Sequence, residues 1–247
     1  MRGRALTTIL IAIGARLVCG QGGPPMITDD PGTPGNGHWE NNFAITFEHR
    51  SGETSFDLPQ FDLNYGAGDH VQLTLQTAPV LLLRKDGGPS GGLGGVETAV
   101  KWRFLDEERD GLDMSMFPRL IFNVLQSSVR RGLAENGTRF QLPFQMAKKL
   151  GPVTGDLEFG PLASTVGRAE WLYGIVAGFD LSKNTGLMLE LHGTARSNFS
   201  RDVLAVNAGI RQTLSKNFVL IASLGHEVRS AEEPLAFIGY CGVQWLY

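Results

Sequence analysis

The chain has 247 residues, of which 42% are hydrophobic, and a formal net charge of −3. Its mean hydropathy of −0.05 excludes both a disordered chain and an α-helical membrane protein. With only two cysteines, the chain has neither a disulfide scaffold nor a cysteine-based zinc site. Because acidic residues outnumber basic ones and the sequence has no basic patch, nucleic acid is not expected as a partner.

Residues 1–20 have the pattern of a secretory signal peptide. Arg2 and Arg4 form a positive start, residues 5–15 are mostly apolar, and the small residues that follow fit cleavage before Gln21. The apolar run is too short to span a bilayer. Cleavage would remove three of the 22 basic residues and no acidic residue, leaving 19 against 25 and a net charge of −6. The chain is therefore predicted to be exported.

Residues 21–37 form a segment rich in proline and glycine, which we expect to lie on the periplasmic side of the next domain. Two aspartates in it, with His38 after them, could be read as metal ligands. The surrounding prolines favour a rigid turn in which the aspartates cap backbone N–H groups, so no metal site is predicted. We hypothesise that the segment folds under or into a barrel mouth and gates it, centred on Thr28, Asp29, Asp30 and Pro31.

Residues 38–247 alternate apolar and polar positions in stretches of about ten residues, separated by turn-forming residues. This pattern predicts twelve antiparallel strands, although ten or fourteen stay open because two of them are weak. The predicted strands span 38–49, 55–65, 70–83, 95–105, 114–126, 138–148, 153–162, 168–181, 186–196, 202–214, 217–228 and 235–247.

The connections between these strands favour a membrane barrel over a soluble sandwich, which has the same alternation. The even-numbered connections are mostly tight, as periplasmic turns are, whereas the two longest, 84–94 and 127–137, are odd-numbered. The chain ends within a strand on Tyr247, with Trp245 two residues before it. This end resembles the signal that outer-membrane barrels present to the barrel assembly machinery. The fold class is thus an all-β transmembrane barrel in the lipid of a Gram-negative-type outer membrane.

Alternation also assigns polar side chains to the barrel lumen. Their mixed charges could constrict the interior and leave a solvated path, or they could only hydrate and brace the lumen. The main candidates are Glu40, Glu48, Asp62, Asn64, Glu97, Lys101, Arg103, Arg119, Glu190, His192 and Arg211. The same face carries Gln72, Gln76, Gln141, Gln145, Asn207 and Gln244.

Several patches resemble a family of transporter-like outer-membrane barrels labelled "putative meta-pathway of phenol degradation". The most specific is Thr28-Asp29-Asp30-Pro31 directly after the leader, and residues 37–40, 61–66 and 92–104 add to it. The resemblance implies a barrel of the porin and fatty-acid-transporter kind that passes small, partly apolar molecules. The family pattern has Asp where this chain has Gly95, so no acidic role carries over there. It implies no catalytic residue and no cofactor.

The sequence therefore predicts a channel or passive transporter for small solutes that is not an enzyme. A structural or adhesive barrel and a soluble periplasmic barrel that binds an apolar ligand stay open. A lipid-acting barrel hydrolase would need His192 as base beside Thr194 and Glu190, which share one strand face. No Gly-x-Ser-x-Gly nucleophile motif accompanies them.

Overall fold

The computed structural model describes residues 22–198, 202–230 and 236–247. The predicted signal peptide and Leu235, the first apolar residue assigned to the last strand, lie outside these ranges. The described residues contain fourteen strand segments and two short helices. The strands are β1 (Trp39–Arg50), β2 (Glu53–Gly66), β3 (Val71–Arg84), β4 (Ser90–Leu105), β5 (Asp113–Met116), β6 (Arg119–Asn123), β7 (Thr138–Gln141), β8 (Phe144–Leu150), β9 (Val153–Ser164), β10 (Glu170–Ser182), β11 (Thr185–Arg196), β12 (Asp202–Thr213), β13 (Phe218–Arg229) and β14 (Phe237–Leu246).

Two prolines explain why fourteen segments make twelve strands. Pro118 separates β5 from β6, and Pro143 separates β7 from β8, because proline has no N–H to donate to a ladder. The Phe117 N–H donates to the Pro143 carbonyl at 3.0 Å, so the two interruptions lie side by side. Each pair of segments forms one interrupted strand, and the prediction of twelve strands is confirmed.

The sheet closes on itself through its first and last strands. β1 pairs with β14 in an antiparallel register that runs from Glu40 opposite Leu246 to His49 opposite Phe237. Every other strand pairs antiparallel with its neighbours around the ring, and β9 joins β8 to β10. A closed ring leaves no free edge, which is the condition for a sheet to stand in lipid.

The faces of the barrel have the polarity of a membrane protein. In β11, Leu189 is 57% exposed, and Leu187 and Leu191 beside it on the same face are also exposed. The intervening Met188 and Glu190 are buried on the inner face. Apolar residues outside and charged residues inside reverse the arrangement of a soluble barrel and match a lipid-facing wall.

The two ends of the barrel differ in their connections. We call the end with the tight turns and both termini of the barrel the turn end, and the opposite end the loop end. The helix α1 (Glu107–Asp110) lies at the turn end and α2 (Gln126–Arg130) at the loop end. In the described ranges, no helix has the length and apolar character needed to cross a bilayer.

One expected long connection is shorter than the sequence predicted. β3 and β4 stay paired as far as Leu82 opposite Ser90, so residues 85–89 alone join them and the long loop expected over 84–94 was wrong. The glycines that suggested a flexible loop belong to β4. Arg131 of the neighbouring loop crosses this part of β4 and donates to the Gly91 carbonyl at 2.6 Å.

Aromatic side chains gather at the turn end. Three pairs next to turns or termini of that end have ring centroids between 4.9 and 5.6 Å apart, and a fourth pair, Phe159 with Trp171, stacks at 4.9 Å at the loop end. Rings at this level form the girdle that outer-membrane barrels place at a lipid–water interface. The pairs are Trp39 with Tyr65, Trp102 with Phe104, and Trp245 with Tyr247.

The outward position of Leu189 gives a test of the lipid-facing wall. Leu189→Arg should lower the free energy of unfolding in lipid vesicles by about 2–4 kcal/mol, the cost of arginine near the bilayer midplane. Leu214→Arg is the control, because Leu214 lies in the turn between β12 and β13 and is also exposed. Equal effects of both substitutions in denaturant titrations would contradict the placement of β11 in lipid.

Candidate functional site

The N-terminal segment, residues 22–37, enters the barrel from the turn end, where Thr33 and Asn36 bond to Asp69 of the β2–β3 turn, and its earlier residues lie inside the lumen. Three carboxylates of two strands, β9 and β11, accept hydrogen bonds from its backbone. Asp156 accepts from the Gly22 N–H at 3.1 Å, Glu158 from the Asp29 N–H at 3.3 Å, and Glu190 from the Ile27 N–H at 3.2 Å. These acceptors stand within about six residues of the turn end of β9 and β11. The segment therefore crosses the half of the lumen nearer the turn end.

Asp29 fixes the segment by charge to cations of two further strands, β4 and β6. Its carboxylate lies 3.2 Å from the Lys101 ammonium and 3.4 Å from the Arg119 guanidinium. Lys101 also donates to the Asp30 carbonyl at 2.6 Å, and Arg119 pairs with Glu158 at 2.8 Å. Both cations stand over the ring of Phe117. One aspartate of the segment thus joins a network that spans β4, β6 and β9.

The surroundings of Asp29 keep it charged. Burial alone would raise the pKa of its carboxyl, but Lys101 and Arg119 outweigh burial and lower the pKa below 3.8. A lowered pKa means that the ion pairs stabilise the docked segment above pH 3.8 and that this contribution is lost as the pH falls through the lowered value. At neutral pH the contribution is fully present.

Local hydrogen bonds shape the segment into consecutive turns. Asp29 accepts from the Asp30 N–H at 2.8 Å, and Asp30 accepts from the Gly32 N–H at 2.6 Å. Gly23 has a positive φ of 75° and donates to the Thr28 carbonyl at 2.8 Å. The aspartates cap backbone N–H groups, as the turn reading of the sequence expected. In the described residues no group of three His, Cys, Asp or Glu side chains is arranged to hold a metal ion.

Residues 26–28 of the segment also pack against apolar side chains and two glycines of the barrel wall. Met26 packs with Val176 of β10 and Met188 of β11 to form a small buried cluster. A Cβ atom at Gly174 would collide with Thr28, and one at Gly209 would collide with Met26. The inner surface of β10 and β12 is therefore shaped to receive residues 26–28.

Beside the segment the lumen remains partly open. A cavity of about 1100 Å³ is lined at the turn end by Lys216 and Tyr247 and toward the loop end by Glu48 and Ser55. Its lining therefore reaches both halves of the barrel. The lumen thus holds both the segment and a cavity whose lining contains polar, charged and apolar side chains.

The lumen candidates fall into three groups by position. Arg103 faces the turn end, where it pairs with Asp106 at 3.3 Å and donates to the Asp69 carbonyl. Glu190 and His192 lie behind the segment, with the His192 ring nitrogen 3.4 Å from the Thr28 hydroxyl. The remaining candidates line the cavity: Glu40, Glu48, Asp62, Asn64, Glu97, Lys101, Arg119 and Arg211.

Hydrogen bonds between side chains brace the polar wall of the cavity. Asp62 accepts from Asn42 at 2.9 Å and from Asn64 at 3.0 Å. Asn64 in turn accepts from Gln72 at 2.8 Å and from Thr74 at 2.6 Å. This chain crosses β1, β2 and β3 and holds the inner side chains in fixed positions.

Glu190 and His192, which a barrel hydrolase would need, contact the N-terminal segment in this structure. Glu190 accepts from backbone N–H groups of the segment and from the Asn207 amide at 3.1 Å. The hydroxyl within reach of His192 belongs to Thr28 and not to Thr194. These contacts dock residues 27 and 28 and do not arrange a nucleophile, a base and an orienting group.

Sequence reasoning missed two central residues, Asp156 and Glu158. They belong to the predicted strand 153–162, which was weak because glycines and a proline interrupt it. Their alternation with Leu157 and Phe159 on the opposite face is the signal that could have found them. The glycines at 174 and 209 gave no signal, since their role depends on what packs against them.

A closed ring of twelve antiparallel strands, with an apolar exterior and a charged lumen, defines the fold as that of an outer-membrane β-barrel. No family model and no curated protein matches the chain. Among solved structures it is similar to the COG4313 outer membrane channel from Pseudomonas putida F1, with a TM-score of 0.69 and 13% identity over 86% of this chain and 96% of that one.

Two porins have similar structures at lower TM-scores. The NanC porin gives a TM-score of 0.61 at 6% identity, and the KdgM porin gives 0.57 at 10% identity. Each comparison covers 83% of this chain and 98% of the porin. At these identities the likeness concerns the fold, and it agrees with the prediction of a porin-like barrel.

The ion pairs of Asp29 predict a measurable loosening of the segment. Asp29→Asn should leave buried Lys101 without its carboxylate, which costs about 3 kcal/mol, and should speed amide hydrogen exchange over residues 22–34. The control is Glu53→Gln, which breaks a half-exposed pair with Arg84 at the loop end, worth at most about 1 kcal/mol. Unchanged exchange in Asp29→Asn would show that these ion pairs do not hold the segment.

Proposed function

We propose that this chain is an outer-membrane channel for small solutes whose lumen is narrowed by its own N-terminal segment. The observation that carries the proposal is the cavity of about 1100 Å³, whose lining reaches both halves of the barrel. Polar and charged groups along that path let solutes exchange their hydration for contacts with the wall.

The orientation in the membrane follows from the two ends. Bacterial barrels place short turns and both termini in the periplasm and longer loops outside. The turn end, with Trp39 hydrogen-bonded to Tyr247, accordingly faces the periplasm. The strand that ends at Trp245 and Tyr247 is the element that we propose the barrel assembly machinery recognises. Removal of residues 1–20 would leave a plug-like segment, 21–37, on the periplasmic side of the lumen and a barrel, 38–247.

The two sides of the lumen suit solutes that are partly apolar. β1–β4 present mainly polar groups to the cavity, whereas Ile27, Phe117 and Ile238 add apolar surface to its lining. A solute with one polar and one apolar side could contact both. This agrees with the transporter-like family that Thr28-Asp29-Asp30-Pro31 resembles, and we propose that the chain is related to that family. No catalytic residue or cofactor enters this proposal.

Charge along the cavity suggests which ions pass more easily. Seven carboxylic acids line it against four bases, and two of those bases pair with Asp29. The acidic side chains are Asp29, Asp30, Glu40, Glu48, Asp57, Asp62 and Glu97, and the basic ones are Lys101, Arg119, Arg211 and Lys216. An acidic surplus raises the local concentration of cations, so the channel is proposed to prefer them.

The channel proposal is tested by planar-bilayer recording of the refolded mature chain and of a variant that lacks residues 22–34. We expect discrete conductance steps that scale with salt, and severalfold larger steps in the variant, because the segment fills much of the lumen. Heat-dependent mobility on gels controls for folding of both proteins. Silence from both folded proteins would reject a channel and favour a structural or adhesive barrel.

Ion preference is tested by reversal potentials across a potassium chloride gradient. The wild-type channel should favour potassium, Glu97→Gln should weaken this preference, and Arg211→Gln should strengthen it, because each removes one charge from the cavity wall. Arg229→Gln, which changes an exposed charge at the loop end, is the matched control. A preference for chloride in the wild type would contradict the assignment.

A further inference from the structure

Arg211 is a buried cation that forms no ion pair with a carboxylate among the described residues. It lies on the inner face of β12 and is 6% exposed. Its guanidinium donates to the neutral Gln244 amide at 2.7 Å, and its Nε has no hydrogen-bond partner in the described part of the chain. Two other buried cations of the cavity wall, Lys101 and Arg119, do have carboxylate partners. A buried guanidinium without a carboxylate is costly, which makes Arg211 a candidate binding group.

Two neighbouring side chains add donors of their own. Gln244 carries the amide Nε2 and Tyr240 the hydroxyl, and within the described ranges neither atom has a hydrogen-bond partner. Both side chains come from β14 and line the same cavity as Arg211. The registers of β12, β13 and β14 put Arg211 level with Gly242, midway between Tyr240 and Gln244. Three donor side chains therefore lie together on one stretch of the cavity wall.

Apolar groups lie beside these donors. Pro25 of the segment lines the cavity, and its carbonyl accepts from the Ser223 hydroxyl at 2.9 Å. Ser223 pairs with Tyr240 across the β13–β14 ladder, so Pro25 lies close to the donors. Ile238, two residues from Tyr240 on β14, also lines the cavity. An anionic group held by the three donors would thus have apolar surface within reach.

We propose that Arg211, Tyr240 and Gln244 bind the carboxylate of a small solute that has a short apolar tail. All three groups can donate, and one of them is charged, which suits a carboxylate because it only accepts hydrogen bonds. A neutral carbonyl or hydroxyl could accept the same hydrogen bonds but would leave the charge of Arg211 uncompensated. The tail would lie against Pro25 and Ile238. As a statement of what crosses the membrane, the inference rests on the proposed channel function.

A carboxylate site is compatible with the acidic surplus of the cavity. Glu40 and Asp30 act on Arg211 through space, but neither forms an ion pair with it in the described ranges. Free ions such as potassium respond to the summed charge of the path. A bound carboxylate responds to direct, charge-assisted hydrogen bonds. The cavity can therefore favour potassium among free ions and still hold a carboxylate at one point.

The first experiment measures binding by isothermal titration calorimetry of the refolded chain in an uncharged detergent. Hexanoate is the probe, and empty micelles give the background from partitioning. Hexanoate should bind at least about tenfold more tightly than hexanamide, which has the same tail without the charge. Hexylamine, which has the opposite charge, should bind no better than hexanamide. No binding of hexanoate, or equal binding of hexanoate and hexanamide, would overturn the inference.

Substitutions then identify the donors. Arg211→Gln should weaken hexanoate binding at least about tenfold, and Arg211→Lys, which keeps the charge but lacks Nε–H, should weaken it less. Arg229→Gln, which changes an exposed charge at the loop end, is the control and should bind as the wild type does. Wild-type affinity in either Arg211 variant would contradict the assignment.

Tyr240→Phe keeps the test valid if the Arg211 variants fail to fold. It removes one hydroxyl and leaves the ring and the charge of Arg211 in place. A hydrogen bond from this hydroxyl to a carboxylate predicts a loss of affinity of about tenfold. Undiminished binding in the folded variant would show that Tyr240 is not one of the donors and would overturn the three-donor site.

Bilayer recording separates this inference from the channel proposal. Hexanoate should reduce the potassium current of the wild type and should have little effect on Arg211→Gln. Calorimetric binding by a folded protein that is silent in bilayers would reject the channel and retain the carboxylate site. Conductance from a protein that binds no hexanoate would reject the site and retain the channel.

Discussion

Pairing of every backbone polar group in lipid is the constraint on which the rest of this structure depends. Water cannot satisfy an open strand edge within a bilayer, so the sheet must close, and the β1–β14 ladder provides the closure. Closure separates an outer from an inner face on every strand. The strand breaks at Pro118 and Pro143 also keep backbone groups paired, because the two breaks are adjacent and the Phe117 N–H donates to the Pro143 carbonyl. A charged lumen is the consequence of that separation.

The lumen of a twelve-strand ring is wider than side chains from the wall can fill. Here the remaining space is shared between the N-terminal segment and the cavity. Wall carboxylates satisfy backbone N–H groups that a turn leaves unpaired, while Asp29 neutralises cations of β4 and β6. The segment is thus held by groups that would be costly to bury alone. The cavity that remains is lined by β1–β4 and by residues of β12, β13 and β14.

Much of the site was visible in the sequence, but the contacts within it were not. Strand alternation assigned Glu97, Lys101 and Arg119 to the inside, and the turn composition of residues 21–37 suggested a segment near the mouth. That Lys101 meets Asp29, 72 positions earlier, depends on where the segment enters the ring. Asp156 was missed because glycines weakened the pattern of its strand, although it accepts the first described N–H.

The sequence by itself determined the class of fold and the facing of most side chains, and it favoured twelve strands over ten or fourteen. These properties follow from the two-residue period of a strand and from local turn chemistry, which neighbouring residues alone specify. Tertiary structure decided that residues 85–89 suffice to join β3 and β4. It also decided that Gly174 and Gly209 leave room for the segment, and how large a cavity remains beside it. Those properties depend on register and on contacts between distant strands, and a local pattern carries no information about them.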